Sequence, residues 1–351
     1  MVIVMSCWVL GASALPQRDF FTTQKPFVHD PAIAFAPDGT AFVFSTGLGL
    51  QLMTSRDLKT WSVSRDPVLA PIPAWTRDSV PGFRAHVWAP DIVRYRNRWW
   101  LTYSCSTFGK NTSAIGLASA DSLSGPWQDQ GCVIASRGHR DNYNCIDPNI
   151  LIDEDGQPWM FFGSFWDGVQ LVRLDSTLHV APGAQPFTVA RRAAPAKIKD
   201  VPQPIAPNDA GRNAIEAPFC IYHDGYYYLF CSYDYCCQGM RSTYRVGVGR
   251  SRSVTGPYVG PDGTPMLDGG FLPLFGGDGK VFEAAGHCCV ASLSPPAPLS
   301  HSEEQARGLG GEAEASFLFL CHGYSIADGG QSVLVIRHLS FTPDGWPRLV
   351  E

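Results

Sequence analysis

A chain of 351 residues has room for one large or two ordinary domains, and with 45% hydrophobic, 12% aromatic and 17% charged residues it can bury a sizeable core without any bias toward disorder. A formal net charge of -5 argues against an extended basic surface for nucleic acid. No apolar run is long enough to span a bilayer, so the composition suits a globular protein that handles a neutral ligand.

The chain opens on an apolar run, Val2 to Gly11, followed by Ala12-Ser13-Ala14, a small-x-small pattern of the kind signal peptidase cleaves, although no basic residues precede it. Residues 1–14 are therefore expected to be a secretory leader and 15–351 a single domain acting outside the cell. Removing Cys7 leaves an even ten of the eleven cysteines, but they are spread through apparent strands, where cysteine serves as a small buried hydrophobe.

After the leader a template appears. Val28-His29-Asp30-Pro31 leads into Ala32-Ile33-Ala34-Phe35, an Asp38-Gly39 turn and a return run, Ala41-Phe42-Val43-Phe44-Ser45. Asp-Gly tolerates the positive φ angles that tight hairpins require. The template recurs from Val87-Trp88-Ala89-Pro90-Asp91, turning at Asn97-Arg98 and returning through Trp99 to Ser104. A third copy runs from Asn144-Cys145-Ile146-Asp147-Pro148-Asn149 through Asp155-Gly156 to Phe162-Gly163-Ser164-Phe165-Trp166. The fourth begins at Ala214-Ile215-Glu216-Ala217-Pro218 and turns at Asp224-Gly225; a weaker fifth opens at Ala285-Gly286-His287 and returns, after a long insertion, at Phe317-Leu318-Phe319-Leu320. Ser55 to Trp61, Ser119 to Trp127 and Ser251 to Tyr258 echo one another and close three of the units with a turn and an aromatic cap. A period of roughly 55 to 70 residues, with about four short strands each, is the signature of a β-propeller, here all-β and five-bladed. Ala193–Asn213 and Ser294–Glu314 break the pattern as surface loops.

In a propeller the innermost strands begin near one end of the central channel, so residues at matching template positions converge. Asp30, Asp147 and Glu216 are read as occupying such positions. Any one of them alone reads as a strand-entry turn. Three together repel one another, which raises at least one pKa and creates the acid and base that cleavage of a glycosidic bond needs. Asp91 lies behind Pro90, out of register, and reads as structural.

The motifs Val28 to Pro31, Val87 to Asp91, Ser106-Thr107-Phe108-Gly109 with Asn111 to Gly116, Ile146 to Asn149, Phe162 to Trp166, Ala214 to Pro218 and Cys236-Cys237 with Ser242-Thr243-Tyr244 follow one another in the order found in glycoside hydrolase family 43. The chain resembles the endo-1,5-α-L-arabinanases of that family, which implies a five-bladed propeller that cleaves arabinan with inversion. On this resemblance Asp30 is the general base, Glu216 the general acid, and Asp147 the carboxylate that orients the acid and tunes its pKa. Base and acid are then about 6.5–9.5 Å apart, leaving room for the attacking water. Trp88, Phe108, Phe165 and Trp166 are expected to stack on furanose rings, and Asn149 and Ser164 to bond sugar hydroxyls. His287 is expected to face a calcium or similar ion in the channel, largely through water, although Cys288-Cys289 replaces a more polar pair; no organic cofactor is implied. The partner is the polysaccharide arabinan, with no nucleic acid or membrane, and the chain is expected to work as a monomer. An exo-acting arabinofuranosidase or xylosidase of the same superfamily is the alternative, and a non-catalytic carbohydrate-binding propeller a more distant one. The sequon Asn111-Thr112-Ser113 lies within a cleft motif, where a glycan would crowd substrate, and is read as unused. Cys236-Cys237 is assigned no chemistry, because adjacent cysteines rarely form unstrained disulfides.

Overall fold

The computed structural model of the protein describes residues 18–194, 213–293 and 317–350. The expected leader over 1–14 and most of the two expected loops lie outside the described residues.

Twenty-two strands form five antiparallel sheets. Blade 1 holds β1 (Phe20–Thr23), β2 (Ala32–Phe35), β3 (Ala41–Ser45), β5 (Gln51–Ser55) and β6 (Trp61–Ser64), whereas β4 (Gly47–Leu48) leaves it to join the next sheet. Blade 2 adds β7 (His86–Tyr95), β8 (Arg98–Cys105), β9 (Ser113–Ala120) and β10 (Gln128–Ser136). Blade 3 is β11 (Asn149–Ile152), β12 (Pro158–Phe162), β13 (Val169–Arg173) and β14 (Phe187–Ala190). Blade 4 is β15 (Ile215–His223), β16 (Tyr226–Tyr233), β17 (Arg245–Ser251) and β18 (Leu272–Phe275). Blade 5 is β19 (Phe282–Ser292), β20 (Phe317–Ser325), β21 (Gln331–Phe341) and β22 (Pro347–Val350). The first strands β2, β7, β11, β15 and β19 touch in that order and β19 touches β2, so the ring is closed. The expected propeller is therefore the fold. Just before β2 the chain also runs beside blade 5, where the Val28 N–H donates to the Ser332 carbonyl at 3.2 Å.

The strands read as continuous apolar runs because each sheet buries both faces. On β12, Phe161 packs into the seam between blades 3 and 4, while its neighbours Met160 and Phe162 pack into the seam between blades 2 and 3. On β20, Phe319 faces blade 4, and Leu318 and Leu320 face blade 1. Alternate side chains thus feed different cores, and there is one apolar seam between each adjacent pair of blades. Each fully buried Phe or Leu contributes about 1.5–3 kcal/mol, so closure of the ring is itself the main stabilising event.

The hairpins turn where glycine supplies positive φ, as at Gly156 (79°) and at Gly225 (77°) after Asp224 (47°). The second hairpin turns on Arg96 (49°) and Asn97 (63°), one residue earlier than the expected Asn97-Arg98 pair, and Arg98 opens β8.

At each blade entrance stands a non-glycine residue in the left-handed region: Asp30 (53°), Ala89 (43°), Asp147 (57°), Ala217 (50°) and His287 (53°). This conformation costs an L-residue roughly 1–2 kcal/mol, and its recurrence marks one structurally equivalent position per blade. It corrects the sequence register. Asp30 and Asp147 share the position with His287, whereas Glu216 comes one residue before its blade's copy, Ala217.

Candidate active site

The entrance residues are fixed by a repeated device. A polar side chain at or just past the end of one blade's second strand receives the backbone N–H of the next blade's entrance residue. Thr46 Oγ1 accepts from Ala89 at 2.9 Å, Ser104 Oγ from Asp147 at 2.9 Å, Ser232 Oγ from His287 at 2.8 Å, and His322 Nδ1 from Asp30 at 3.2 Å. Blade 4 departs from the rule. There Asp147 Oδ2 accepts the Ala217 N–H at 3.2 Å, and Ser164 donates instead to Glu216 Oε2 at 2.6 Å. One hydroxyl has been diverted from backbone to carboxylate, where Glu216 stands.

Asp30 is enclosed by cations and donors. His29 Nδ1 is 2.8 Å and His287 Nδ1 3.1 Å from its Oδ1, and Thr46 donates to Oδ2 at 2.6 Å. Burial would raise its pKa, but the charges and hydrogen bonds of His29 and His287 hold it well below the usual carboxylate range. Reciprocally, burial works to deprotonate the two imidazoles, yet Asp30 lifts His29 to about 10 and His287 to about 9. His322 stacks on His29 with ring centroids 3.8 Å apart and is held well below its ordinary value by burial and by the His29 charge. It is neutral, and because Nδ1 accepts the Asp30 N–H, its proton is on Nε2 and donates to Tyr324 Oη at 3.3 Å.

Among the described residues, the other two carboxylates have no such cations in contact. Burial raises Asp147 well above the ordinary value, opposed by His287 and reinforced by Glu216 and Asp30. Burial also raises Glu216, opposed by the Ser164 hydrogen bond. Two buried acids that repel each other titrate as a unit, so each makes the other harder to ionise. Tyr244 completes this wall. Its buried hydroxyl lies beside Glu216 and favours the ionised form of that acid, though it meets strict hydrogen-bond geometry with none of the described residues, and its ring occupies the space beside Gly286, where a Cβ would meet ring carbons at 2.2 Å.

The remaining expected residues divide. Phe108 is 74% exposed, and Phe165, half-buried, lies 5.9 Å from the Tyr235 ring. Trp88 is half-buried, its Nε1 donating to His86 at 2.9 Å. Trp166 is buried in the protein, only 7% exposed. Ser164 spends its hydrogen on Glu216, which leaves its oxygen lone pairs for a sugar hydroxyl. Asn149 is likewise engaged, donating to Asp91 Oδ2 at 3.3 Å and accepting the Cys220 N–H at 2.8 Å. It joins blades 2, 3 and 4 through one of its two amide hydrogens and its oxygen. Asp91 also accepts the Ile150 N–H at 2.8 Å and is structural, its pKa pushed up to about 6 by burial. Asn111 is buried, donating to the carbonyls of Asp141 and Tyr143, which leaves no room for a glycan.

His287 can ligate an ion through Nε2 only by giving up the proton that Asp30 stabilises on that ring. Calcium prefers oxygen, so its other ligands there would be water. His29, Asp30 and His322 also bring ligand atoms within 4.8 Å of one another, but these are engaged with each other and with Tyr324.

Sequence reasoning missed His29, Thr46, Tyr244, His322 and Tyr324. Aligning the ends of the second strands, Thr46, Ser104, Ser164 and Ser232, would have exposed the polar ring.

A carboxylate paired with imidazoles and two carboxyls whose pKa values burial raises, together at blade entrances around a propeller axis, have what acid–base catalysis needs. The chain belongs to the glycosyl hydrolases family 43, whose model matches residues 23–290. It is 36% identical to the extracellular endo-α-(1→5)-L-arabinanase 1 of Bacillus subtilis over 98% of this chain and 94% of that protein. It is 37% identical to the extracellular exo-α-(1→5)-L-arabinofuranosidase ArbA of Cellvibrio japonicus, over 92% of this chain and 86% of that one. Among solved structures, an exo-1,5-α-L-arabinanase from a bovine ruminal metagenomic library superposes with a TM-score of 0.79 at 40% identity, covering 93% of this chain and 98% of that one. A Cellvibrio cellulosa α-L-arabinanase complexed with arabinohexaose superposes with a TM-score of 0.79 at 34% identity, covering 93% and 96%.

Proposed function

We propose that the protein is an endo-1,5-α-L-arabinanase that hydrolyses internal α-1,5 bonds of arabinan with inversion. The observation that carries this reading is the split between the carboxylates: Asp30 lies against His29 and His287, whose charges lower its pKa, while burial raises the pKa values of Asp147 and Glu216 and so favours a proton on that side.

Ser164 fixes Glu216 Oε2 as an acceptor, which leaves the acid proton to Oε1. That proton passes to the departing sugar oxygen as the glycosidic bond breaks. Asp30 takes a proton from the water that attacks the anomeric carbon from the opposite face. Its depressed pKa makes it a weak base, so it accepts the proton late, once the water has begun to bond to carbon and become strongly acidic. Once that proton has left, the pair regains one from water, and the charge of Asp147 favours its return to Glu216. A cation at His287 Nε2, held otherwise by water, would take the place of the proton on that ring and keep positive charge on the base side of the channel. The protein acts outside the cell, as a monomer; its named relatives are extracellular.

The exo-acting alternative has a specific basis in the 40% identical exo-arabinanase structure. The products formed from linear arabinan over time decide between them. An endo enzyme yields a ladder of oligosaccharides early; release of monosaccharide or of a single short product from the start would overturn the endo reading.

A further inference from the structure

Cys236 and Cys237 lie in the loop between β16 and β17, and their Sγ atoms are 2.7 Å apart. Cys237 is exposed and Cys236 half-buried; of the other eight described cysteines seven are buried and Cys132 is half-buried. An oxidant arriving from solvent therefore meets this pair first. The pair is also held against the active site. The Cys237 N–H donates to Tyr324 Oη at 2.6 Å, and Cys237 Sγ lies 3.8 Å from Nε2 of His29, whose other nitrogen holds Asp30. Cys237 has positive φ (63°), and its loop is braced by the Thr243 N–H on the Tyr235 carbonyl at 2.9 Å and the Gln238 N–H on Ser242 Oγ at 3.1 Å.

We propose that Cys236 and Cys237 are an oxidation site at which a peroxide converts the two thiols into a disulfide, withdrawing Cys237 Sγ from His29. The Cys237 sulfur attacks one peroxide oxygen and the O–O bond breaks, giving a sulfenic acid and one water. The Cys236 sulfur then attacks the sulfenic sulfur, the S–O bond breaks, and a second water leaves with the Cys236 proton. Two thiols and one hydrogen peroxide thus become one disulfide and two waters, with two electrons passing from sulfur to oxygen. The Cys236 hydrogen bond and the neighbouring His29, working against burial, lower the Cys237 thiol to about 5, which favours it as the attacking sulfur.

Chain neighbours have Cα atoms about 3.8 Å apart, short of the roughly 4.4–6.8 Å of ordinary disulfides. The bridge therefore carries strain and is easily reduced, which suits a reversible modification better than a permanent staple. Its chemistry does not depend on what Asp30 does; only the effect on turnover rests on Asp30 acting as the base.

The test treats the whole protein with hydrogen peroxide, alkylates free thiols and maps the peptide carrying both residues. It should be 2 Da lighter and resist alkylation, and dithiothreitol should restore two alkylatable thiols. kcat/KM should fall reversibly by roughly tenfold, the size of losing one hydrogen bond to a charged group. In Cys236→Ser, oxidation should stop at a sulfenic acid on Cys237 that dimedone traps. Two alkylatable thiols remaining after peroxide, or a stable oxygen adduct without the 2 Da loss, would overturn the site. A full 2 Da loss with unchanged kcat/KM would overturn the link to His29. Asp30→Asn separates the readings: if it retains activity, the assignment of the base fails while the mapped disulfide stands.

Discussion

The two sides of the active site bury carboxylates equally deeply and shift their pKa values in opposite directions. On the blade 5 and blade 1 side, Asp30 is 8% exposed and sits among His29, His287 and His322. On the blade 3 and blade 4 side, Glu216, also 8% exposed, and Asp147, 6% exposed, have hydroxyl and amide donors but, among the described residues, no cation in contact. Burial alone would leave all three carboxyls protonated. Neighbours decide which one ionises, and the protein has placed its imidazoles on one side only. That asymmetry is what lets a cluster of like residues act as base and acid at one pH.

The most severe way to break the asymmetry is to neutralise either end. Asp30→Asn and Glu216→Gln should each lower arabinan hydrolysis by about 10²–10⁴-fold. They should part company on an arabino-oligosaccharide bearing a nitrophenolate leaving group, which departs without a proton. Glu216→Gln should recover most of its rate there and Asp30→Asn little, as release of nitrophenol will show. Equal recovery would mean that the two roles are not divided as proposed.

Replacing His29 by Gln removes one cation from the base side and leaves the acid side untouched. The pKa of Asp30 should rise, so the acidic limb of the kcat/KM profile should move to higher pH while the alkaline limb stays in place. Activity near the optimum should fall less than in Asp30→Asn, because the carboxylate is still present. A shift of the alkaline limb alone would place the effect of His29 on Glu216 instead.

Folding stability should respond with opposite signs on the two sides. Asp30 has a depressed pKa, so the stability it contributes is present above the ordinary aspartate value and is lost as pH falls through its lower folded value. His29 and His287 contribute stability that is complete below 6.5 and lost as pH rises through about 10 and about 9. Asp147 and Glu216 have raised pKa values, so they cost stability as pH climbs from their ordinary values through the folded ones. At pH 8, Glu216→Gln should therefore raise Tm and Asp30→Asn should lower it, each by about 1–2 °C for every kcal/mol involved. Thermal melts of the two variants would show it; shifts of the same sign would erase the electrostatic distinction.

The acid side was the more legible in the sequence. Asp147 and Glu216 stand in short motifs beside proline, and the Asp-Gly hairpins that follow them made the repeat and hence the propeller visible. The register of Glu216 was misjudged because the repeats were aligned on their acids; alignment on Pro31, Pro90, Pro148 and Pro218 puts Ala217 opposite Asp30. The base side was largely hidden. His322 and Tyr324 lie in β20, whose nine residues are all buried, so no alternation marks a polar residue as special. The long insertion before Phe317 also separates that strand from the blade entrance it pairs with. Asn149 shows a related difficulty: a polar residue near a catalytic-looking acid reads as a ligand, and only the closed ring shows that its amide also joins the blades.

The smallest expected effect concerns the rim, where the aromatics differ as the carboxylates do. Phe108 is 74% exposed and Trp166 only 7%. A side chain with most of its surface in water has little packing to lose, so Phe108→Ala should leave Tm within about 1 °C of the parent, as expected for surface changes of about ±0.5 kcal/mol. If a furanose ring covers it in the complex, the apolar area then buried is worth about 1 kcal/mol, which would raise KM for arabinan severalfold with kcat unchanged. Trp166→Ala should do the reverse, costing about 3–5 kcal/mol of stability through the cavity it leaves. Unchanged KM in Phe108→Ala would remove Phe108 from the substrate path and leave Phe165 and Tyr235 as the aromatic edge of the site.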